Sequence, residues 1–154
     1  LRGLLLSGAL GLFLIDALIV AFLGAGLAAM LRRRRTATAA LFVAIALASY
    51  AALIAAFLGG IHWGIGWLAG LRAGAVPHAQ RRHFLWGVVP SLLAWPGLLM
   101  PPHAGLAWLG FVLMVSYLAD RSLYKHAGLQ RWLTLRFRLS AVASLSCFIG
   151  AGAL

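Results

Sequence analysis

The hydrophobic residues of the chain fall into long blocks that are separated by basic residues or by prolines. About 20 helical residues are enough to cross the hydrocarbon core of a bilayer, which is about 30 Å thick. The predicted fold class is therefore an all-α polytopic membrane helix bundle, a single transmembrane domain over residues 1–154. Its five spanning helices are predicted at about 3–31, 37–71, 84–100, 104–119 and 136–154.

Prolines shape the middle of this pattern. Pro90 and Pro96 lie inside the third predicted span, where each removes a backbone amide hydrogen, so this helix is predicted to be kinked. Pro101 and Pro102 give a strong turn signal between the third and fourth spans. Kinks are tolerated in membrane helices where a neighbouring helix or a cavity supplies replacement hydrogen bonds. We therefore expect such partners for the carbonyls near residues 86 and 92.

The link after the fourth span contains both apolar and basic residues. Leu129 and Leu133 lie among arginines, which indicates a short interfacial helix at about 123–135. The uncharged stretch that follows this link is short. A fifth span therefore requires Arg136 and Arg138 to lie at its entrance and to extend their guanidinium groups toward the head groups; otherwise the segment is a shallow half-span.

The composition explains why the chain is strongly basic. It has 154 residues, of which 64% are hydrophobic, with 13 Lys or Arg, two Asp or Glu and a formal net charge of +11. So few charges cannot cover the surface of a soluble domain. In a membrane protein the basic residues set the topology and contact anionic lipid head groups, so we expect membrane lipids as partners and no nucleic acid.

The basic residues also predict an orientation. Their distribution over the links favours an N-terminus on the inner side of the membrane. The cluster formed by Arg32, Arg33, Arg34 and Arg35 then lies on the outer side. We predict that this cluster binds lipid phosphate or an acidic partner surface.

Ionisable side chains inside the spans are the candidates for a site, because they are costly in lipid unless they face protein or water. Asp16 in the first span and His62 in the second lie at comparable depth, so a pair between them is one alternative. A second pattern gathers unusual residues on one membrane side. This predicted binding site consists of His62, Trp63, Trp86, Ser91, Asp120 and Arg136. Nearby glycines are predicted to allow close helix packing, namely Gly59, Gly60 and Gly64.

Several chemistries are disfavoured by the residues present. A haem needs two axial ligands at similar depth, whereas His62 is the only histidine inside a predicted span. Two carboxylates do not furnish a metal cage or the paired acids of many hydrolases. Ser91 has no histidine and acid at a recognisable triad spacing. The sequence therefore predicts no catalytic residue, no metal and no cofactor, with a bound lipid or quinone as the alternative.

Three motifs resemble those of a known family. They are Phe57-Leu58-Gly59-Gly60-Ile61-His62-Trp63-Gly64, Trp86-Gly87-Val88-Val89-Pro90-Ser91-Leu92 and Leu118-Ala119-Asp120-Arg121. In them the chain resembles the domain of unknown function 3429 family, small multi-pass proteins of proteobacterial inner membranes with mitochondrial relatives of the transmembrane protein 69 type. The resemblance implies a five-helix inner-membrane protein and does not bring a reaction with it.

These observations lead to two functional hypotheses. We expect a noncatalytic accessory subunit or assembly factor, not an enzyme, that associates with other integral membrane proteins in a larger energy-transducing complex. The alternative is a site centred on His62 that binds a quinone or a lipid head group or moves protons. The expected location is the bacterial inner membrane, with the mitochondrial inner membrane as the alternative.

Overall fold

Helices account for the described parts of all five predicted segments. The computed structural model describes residues 18, 21–22, 24–26, 37–71, 77–126 and 128–154, and those described before residue 27 are helical. Four helices have defined bounds, which we number α1 (Ala37–Gly70), α2 (Pro77–Leu99), α3 (Pro102–His126) and α4 (Trp132–Gly152). Among the described residues, α1, α3 up to Lys125, and α4 are long and apolar enough to cross a membrane. The prediction of an all-α membrane bundle is confirmed.

The helix ends differ from the predicted bounds on the side that carries the polar links. α2 begins at Pro77 rather than at residue 84, because proline is already shaped for the first turn of a helix. Residues 123–135 do not form the separate interfacial helix that the sequence predicts. They are divided between the end of α3 and the start of α4, and Gly128 turns the chain between them with a φ of 74°.

α1 and α2 pack through small residues that recur every three or four positions. The buried face of α1 includes Ala51, Ala55 and Gly59. A Cβ atom at Gly59 would collide with the backbone carbonyl of Gly87 on α2, so the two backbones are in direct contact there. Of the three glycines predicted for helix packing, the structure places Gly59 at a close contact between helices.

The other two glycines predicted for helix packing do not contact the described helices. Gly60 and Gly64 are exposed on α1. In the part of the chain that the structure describes, no atom lies within 4 Å of a Cβ atom built at either position. The spacing of these glycines indicates a smooth helix face, but the direction of that face depends on the rotation of α1 in the bundle.

The hairpin of α2 and α3 is closed by another contact between glycines. A Cβ atom at Gly105 would collide with the carbonyl oxygen of Gly97. The Trp108 indole donates a hydrogen bond of 2.7 Å to the carbonyl oxygen of Leu93. This acceptor lies in the turn that precedes Pro96, next to residue 92, where the sequence predicts a carbonyl in need of a partner.

The apolar part of the core is formed by α1, α3 and α4, together with Ala94 of α2. Leu106, Leu109 and Leu113 of α3 are fully buried, and Ala143 and Cys147 of α4 belong to the same cluster. This core lies on the side of the bundle toward the α2–α3 turn. Polar residues occupy the opposite side of the same helix interface.

Two predicted features lie outside the described residues. They are the acidic side chain of Asp16 and the cluster Arg32–Arg35. Their predicted roles stay predictions.

The contact at Gly59 predicts opposite effects of the same substitution at adjacent positions. Gly59→Ala should destabilise the bundle by about 1–3 kcal/mol, because the new methyl group overlaps the Gly87 backbone. Gly60→Ala should leave stability unchanged or raise it by up to about 1 kcal/mol, since alanine favours the helix. Thermal unfolding in detergent can be followed through the reaction of a maleimide dye with Cys147, the only cysteine, which is buried. Equal melting of the two variants would contradict the packing.

Candidate functional site

Each of the four helices contributes a polar side chain to one buried cluster. His62 comes from α1, His83 and Trp86 from α2, Asp120 from α3 and Arg136 from α4. The exposed fractions of His62 and Arg136 are 0%, and that of Asp120 is 1%. We call these five residues the Asp120 cluster.

The Asp120 carboxylate is the centre of the cluster. Its Oδ1 accepts hydrogen bonds from His62 Nε2 and Trp86 Nε1, each at 2.8 Å. Its Oδ2 accepts one from Arg136 Nε at 2.8 Å, and Arg136 Nη2 lies 2.7 Å away. Both oxygens are therefore occupied by donors from three other helices. Charge-assisted bonds of this kind are stronger than neutral ones, and they offset part of the cost of burying the two charges.

Arg136 is held at both ends of its guanidinium group. While Nε and Nη2 face Asp120, Nη1 donates a hydrogen bond to the hydroxyl of Ser140, one turn further along α4. The expectation that Arg136 extends toward the head groups is wrong, because its side chain turns inward to a buried carboxylate. Arg138, two residues later, is exposed as expected.

His62 and His83 form a second connection, between α1 and α2. Their Nδ1 atoms are 3.0 Å apart, and their rings meet edge to edge, with centroids 5.3 Å apart and ring planes inclined by 21°. A hydrogen bond between two ring nitrogens requires one proton between them. If His62 is neutral and donates from Nε2 to Asp120, its Nδ1 is an acceptor and His83 must donate. Each ring nitrogen of His62 therefore has its own partner, His83 for Nδ1 and Asp120 for Nε2.

The ring of Tyr124 closes the cluster on the α3 side. Tyr124 is fully buried and lies one turn after Asp120. Its ring centroid is 5.1 Å from that of His62. The Tyr124 ring therefore packs against the imidazole of His62 inside the buried cluster.

Four of the six residues predicted for the site lie together: His62, Trp86, Asp120 and Arg136. Trp63 is 48% exposed, and its ring meets Phe84 edge to face with centroids at 6.3 Å. Ser91 donates a hydrogen bond of 2.8 Å to the carbonyl of Val88 in its own helix. Neither of these two side chains belongs to the cluster. The alternative of an Asp16 pair falls on a residue outside the described part of the chain, while both nitrogens of His62 have other partners.

Sequence reasoning missed three residues at this site: His83, Tyr124 and Ser140. The hydropathy pattern assigns His83 to a link, because the apolar block begins at residue 84. Its spacing of three residues from Trp86 is the signal that places both on one helix face once α2 is extended to Pro77. Ser140 likewise lies four residues after Arg136 on α4.

The arrangement has two chemical capacities. It joins four helices through buried hydrogen bonds, and it places two imidazoles in series with a carboxylate, an order that allows proton exchange. In the described part of the chain, no three His, Cys, Asp or Glu side chains are arranged to hold a metal ion.

The ion pair predicts strongly non-additive effects of substitution. Asp120→Asn leaves the Arg136 guanidinium buried without a counter-charge, which should cost about 3–5 kcal/mol of stability. Arg136→Met should cost less, because His62 and Trp86 still donate to Asp120. The double variant should be more stable than the sum of the two effects predicts. Denaturation of each variant in mixed detergent, followed by labelling of Cys147, measures these differences.

Arg138→Gln is the matched control for this cycle. It removes the same charge from an exposed position on the same helix, so its stability should stay within about 0.5 kcal/mol of the wild type. Strictly additive effects at Asp120 and Arg136 would contradict the pairing.

Comparison with known proteins places this bundle in a family. A family model described as "Protein of unknown function (DUF3429)" matches residues 9–152, a range that contains every member of the Asp120 cluster. No curated protein and no solved structure matches the chain. The chain therefore belongs to the DUF3429 family of proteins of unknown function, as the resemblance of its motifs predicts.

Proposed function

We propose that this protein is a noncatalytic accessory subunit or assembly factor of the inner membrane, and that it associates with a larger energy-transducing membrane complex. The bacterial inner membrane is the proposed location, and the mitochondrial inner membrane is the alternative. Other integral membrane proteins are the proposed partners. Two features of the bundle support this assignment.

The observation that carries the proposal is an open face of α1. Gly60 and Gly64 lie four residues apart, and the described helices leave the space next to both of them empty. Phe57 and Trp67, which are 69% and 65% exposed, share this face by their spacing. Small residues at this spacing let the backbone of another helix approach closely, and the aromatic rings at both ends provide contact area. We call this surface the Gly60 face.

The orientation of the polar residues supports a noncatalytic role. The ionisable members of the Asp120 cluster are at most 7% exposed and bind one another. Residues used in this way hold the bundle together. Most of the exposed surface of the described spans is apolar, which suits contact with other membrane helices or lipid.

The test of this role is recovery of a partner after mild crosslinking and purification in a gentle detergent. The wild-type chain should be recovered with a larger complex in fixed stoichiometry. Gly60→Leu combined with Gly64→Leu should lose that complex, because the leucines fill the space that a helix would occupy. Gly152→Leu, at another exposed glycine with open space around it, should retain it.

Unfolding monitored through Cys147 completes this test. The double leucine variant should melt like the wild type, since the described helices do not use the Gly60 face. A wild-type chain that is recovered alone would refute the accessory role. A large drop in stability of the double variant would instead assign the Gly60 face to residues of the same chain.

A second candidate is a small-molecule or proton function at the His62 site. The specific observation in favour of proton movement is the 3.0 Å contact between the Nδ1 atoms of His62 and His83. A proton that arrives at His83 can pass to His62, whose Nε2 already faces the Asp120 carboxylate. Only protons change places in these steps, so the helices need not move. The hydrogen-bonding groups of the cluster already bind one another, so a quinone or a lipid head group would have to displace one of these bonds.

Reconstituted vesicles with an internal pH-sensitive dye separate this candidate from the first. Under an applied membrane potential, a proton-conducting chain should change the pH inside the vesicles. His62→Gln should abolish this proton flux, because an amide does not gain or lose a proton near neutral pH. Because His62→Gln keeps a hydrogen-bonding group, its bundle should remain folded. The control variant Arg138→Gln should conduct protons like the wild type. Absence of flux through the wild-type chain would refute proton conduction.

A further inference from the structure

A groove between α2 and α3 lies next to the Asp120 cluster and shares Trp86 with it. Its volume is about 350 Å³. Arg82, Trp86 and Val89 line it from α2, and Ala119, Ser122 and Leu123 line it from α3. The Trp86 ring separates the groove from the cluster, since its Nε1 atom donates to Asp120.

The polarity of the groove changes along its length. Arg82 is exposed and lies one turn before Trp86, toward the start of α2. Val89 lies on the same face nearly one turn beyond Trp86, deeper in the bundle. Ser122 and Leu123 lie in the last turns of the α3 span, which ends at Lys125. The groove therefore has a cation at the level where the helices leave the membrane and apolar walls below it.

The described chain supplies no carboxylate to pair with Arg82, which leaves its guanidinium group available to an anion from outside the chain. The sequence has 13 basic and two acidic side chains. Of the two acids, Asp120 is bound by Arg136, and Asp16 lies outside the described residues. Among the side chains that the structure describes, no carboxylate lies within salt-bridge distance of Arg82. A guanidinium group binds a phosphate with two parallel hydrogen bonds, which makes phosphate the matching anion.

From this order of groups we propose that the groove between α2 and α3 binds one anionic phospholipid. The phosphate group lies at Arg82, and an acyl chain lies along Leu85, Val89 and Ala119. A zwitterionic lipid fits less well, because its ammonium group would find no acidic side chain in this groove. The site is independent of the accessory role, and it adds a specific lipid position to the general contact of basic links with head groups.

Native mass spectrometry of the full chain, released from nanodiscs that contain equal amounts of phosphatidylglycerol and phosphatidylcholine, tests the site. The wild type should retain one phosphatidylglycerol in preference to phosphatidylcholine. Arg82→Gln should lower this retention by about fivefold, the effect of one arginine near anionic lipid. Arg82→Lys should restore part of it. Ala119→Leu should expel the lipid without a change of charge, because its side chain fills the groove.

Arg138→Gln is the control, since Arg138 is exposed, lies close in depth to the cluster residue Arg136 and does not line the groove. It should retain the lipid like the wild type. Glycerol phosphate, which has the head-group anion without acyl chains, should fail to compete. Labelling of Cys147 should show that all variants remain folded.

Four results would overturn the proposal. They are equal retention of the two lipids, equal loss in Arg82→Gln and Arg138→Gln, displacement by glycerol phosphate, and full lipid retention in Ala119→Leu. If Ala119→Leu retains the lipid but loses stability, the groove is occupied by protein and the lipid binds elsewhere.

Discussion

The buried carboxylate of Asp120 is the constraint on which the arrangement of the four described helices depends. A charge in a membrane interior is stable only if donors surround it and an opposite charge lies nearby. No single helix can supply the four nitrogen atoms that contact Asp120, because neighbouring side chains on one helix point in different directions. Donors therefore come from α1, α2 and α4, and the position of each helix is fixed by its contribution to one carboxylate.

Small residues make this convergence sterically feasible. Gly59 lies one turn before His62, and Gly87 lies one turn after His83. Because the backbones of α1 and α2 touch at these glycines, the two imidazoles come close enough for a 3.0 Å contact. A larger residue at either glycine would separate the helices and lengthen that contact. The apolar packing and the polar cluster are thus one structural unit, in which van der Waals contact sets the distances that the hydrogen bonds require.

Much of the fold and part of the site follow from the sequence for clear physical reasons. Long apolar blocks require helices, and polar groups within those blocks require partners, which is why the sequence alone is enough to group His62, Asp120 and Arg136. The sequence does not determine how each helix is rotated about its axis, and therefore which side chains face the neighbouring helices. Trp63 follows His62 directly, yet successive residues are about 100° apart on a helix, and Trp63 therefore faces outward.

The ends of the helices and the neighbours of the glycine faces could not be predicted from the sequence, for a related reason. Hydropathy marks where lipid begins, not where a helix begins, so α2 starts well before its apolar block and carries His83 into the cluster. The spacing of Gly60 and Gly64 indicates a smooth surface, while only the assembled bundle shows which neighbour meets it.

Trp86 relates the cluster to the outer surface of the bundle. Its Nε1 atom donates to Asp120 Oδ1, and its ring forms part of the wall between α2 and α3. A molecule that packs in the groove presses on the same ring that holds the carboxylate. The effect of such a molecule on the cluster depends on how far the Trp86 indole can rotate without losing its 2.8 Å bond to Asp120. Because that hydrogen bond holds one edge of the ring, the ring rotates little. The groove is therefore bounded by a wall that the buried ion pair keeps in place, so the interaction that joins the four helices also gives the groove its shape.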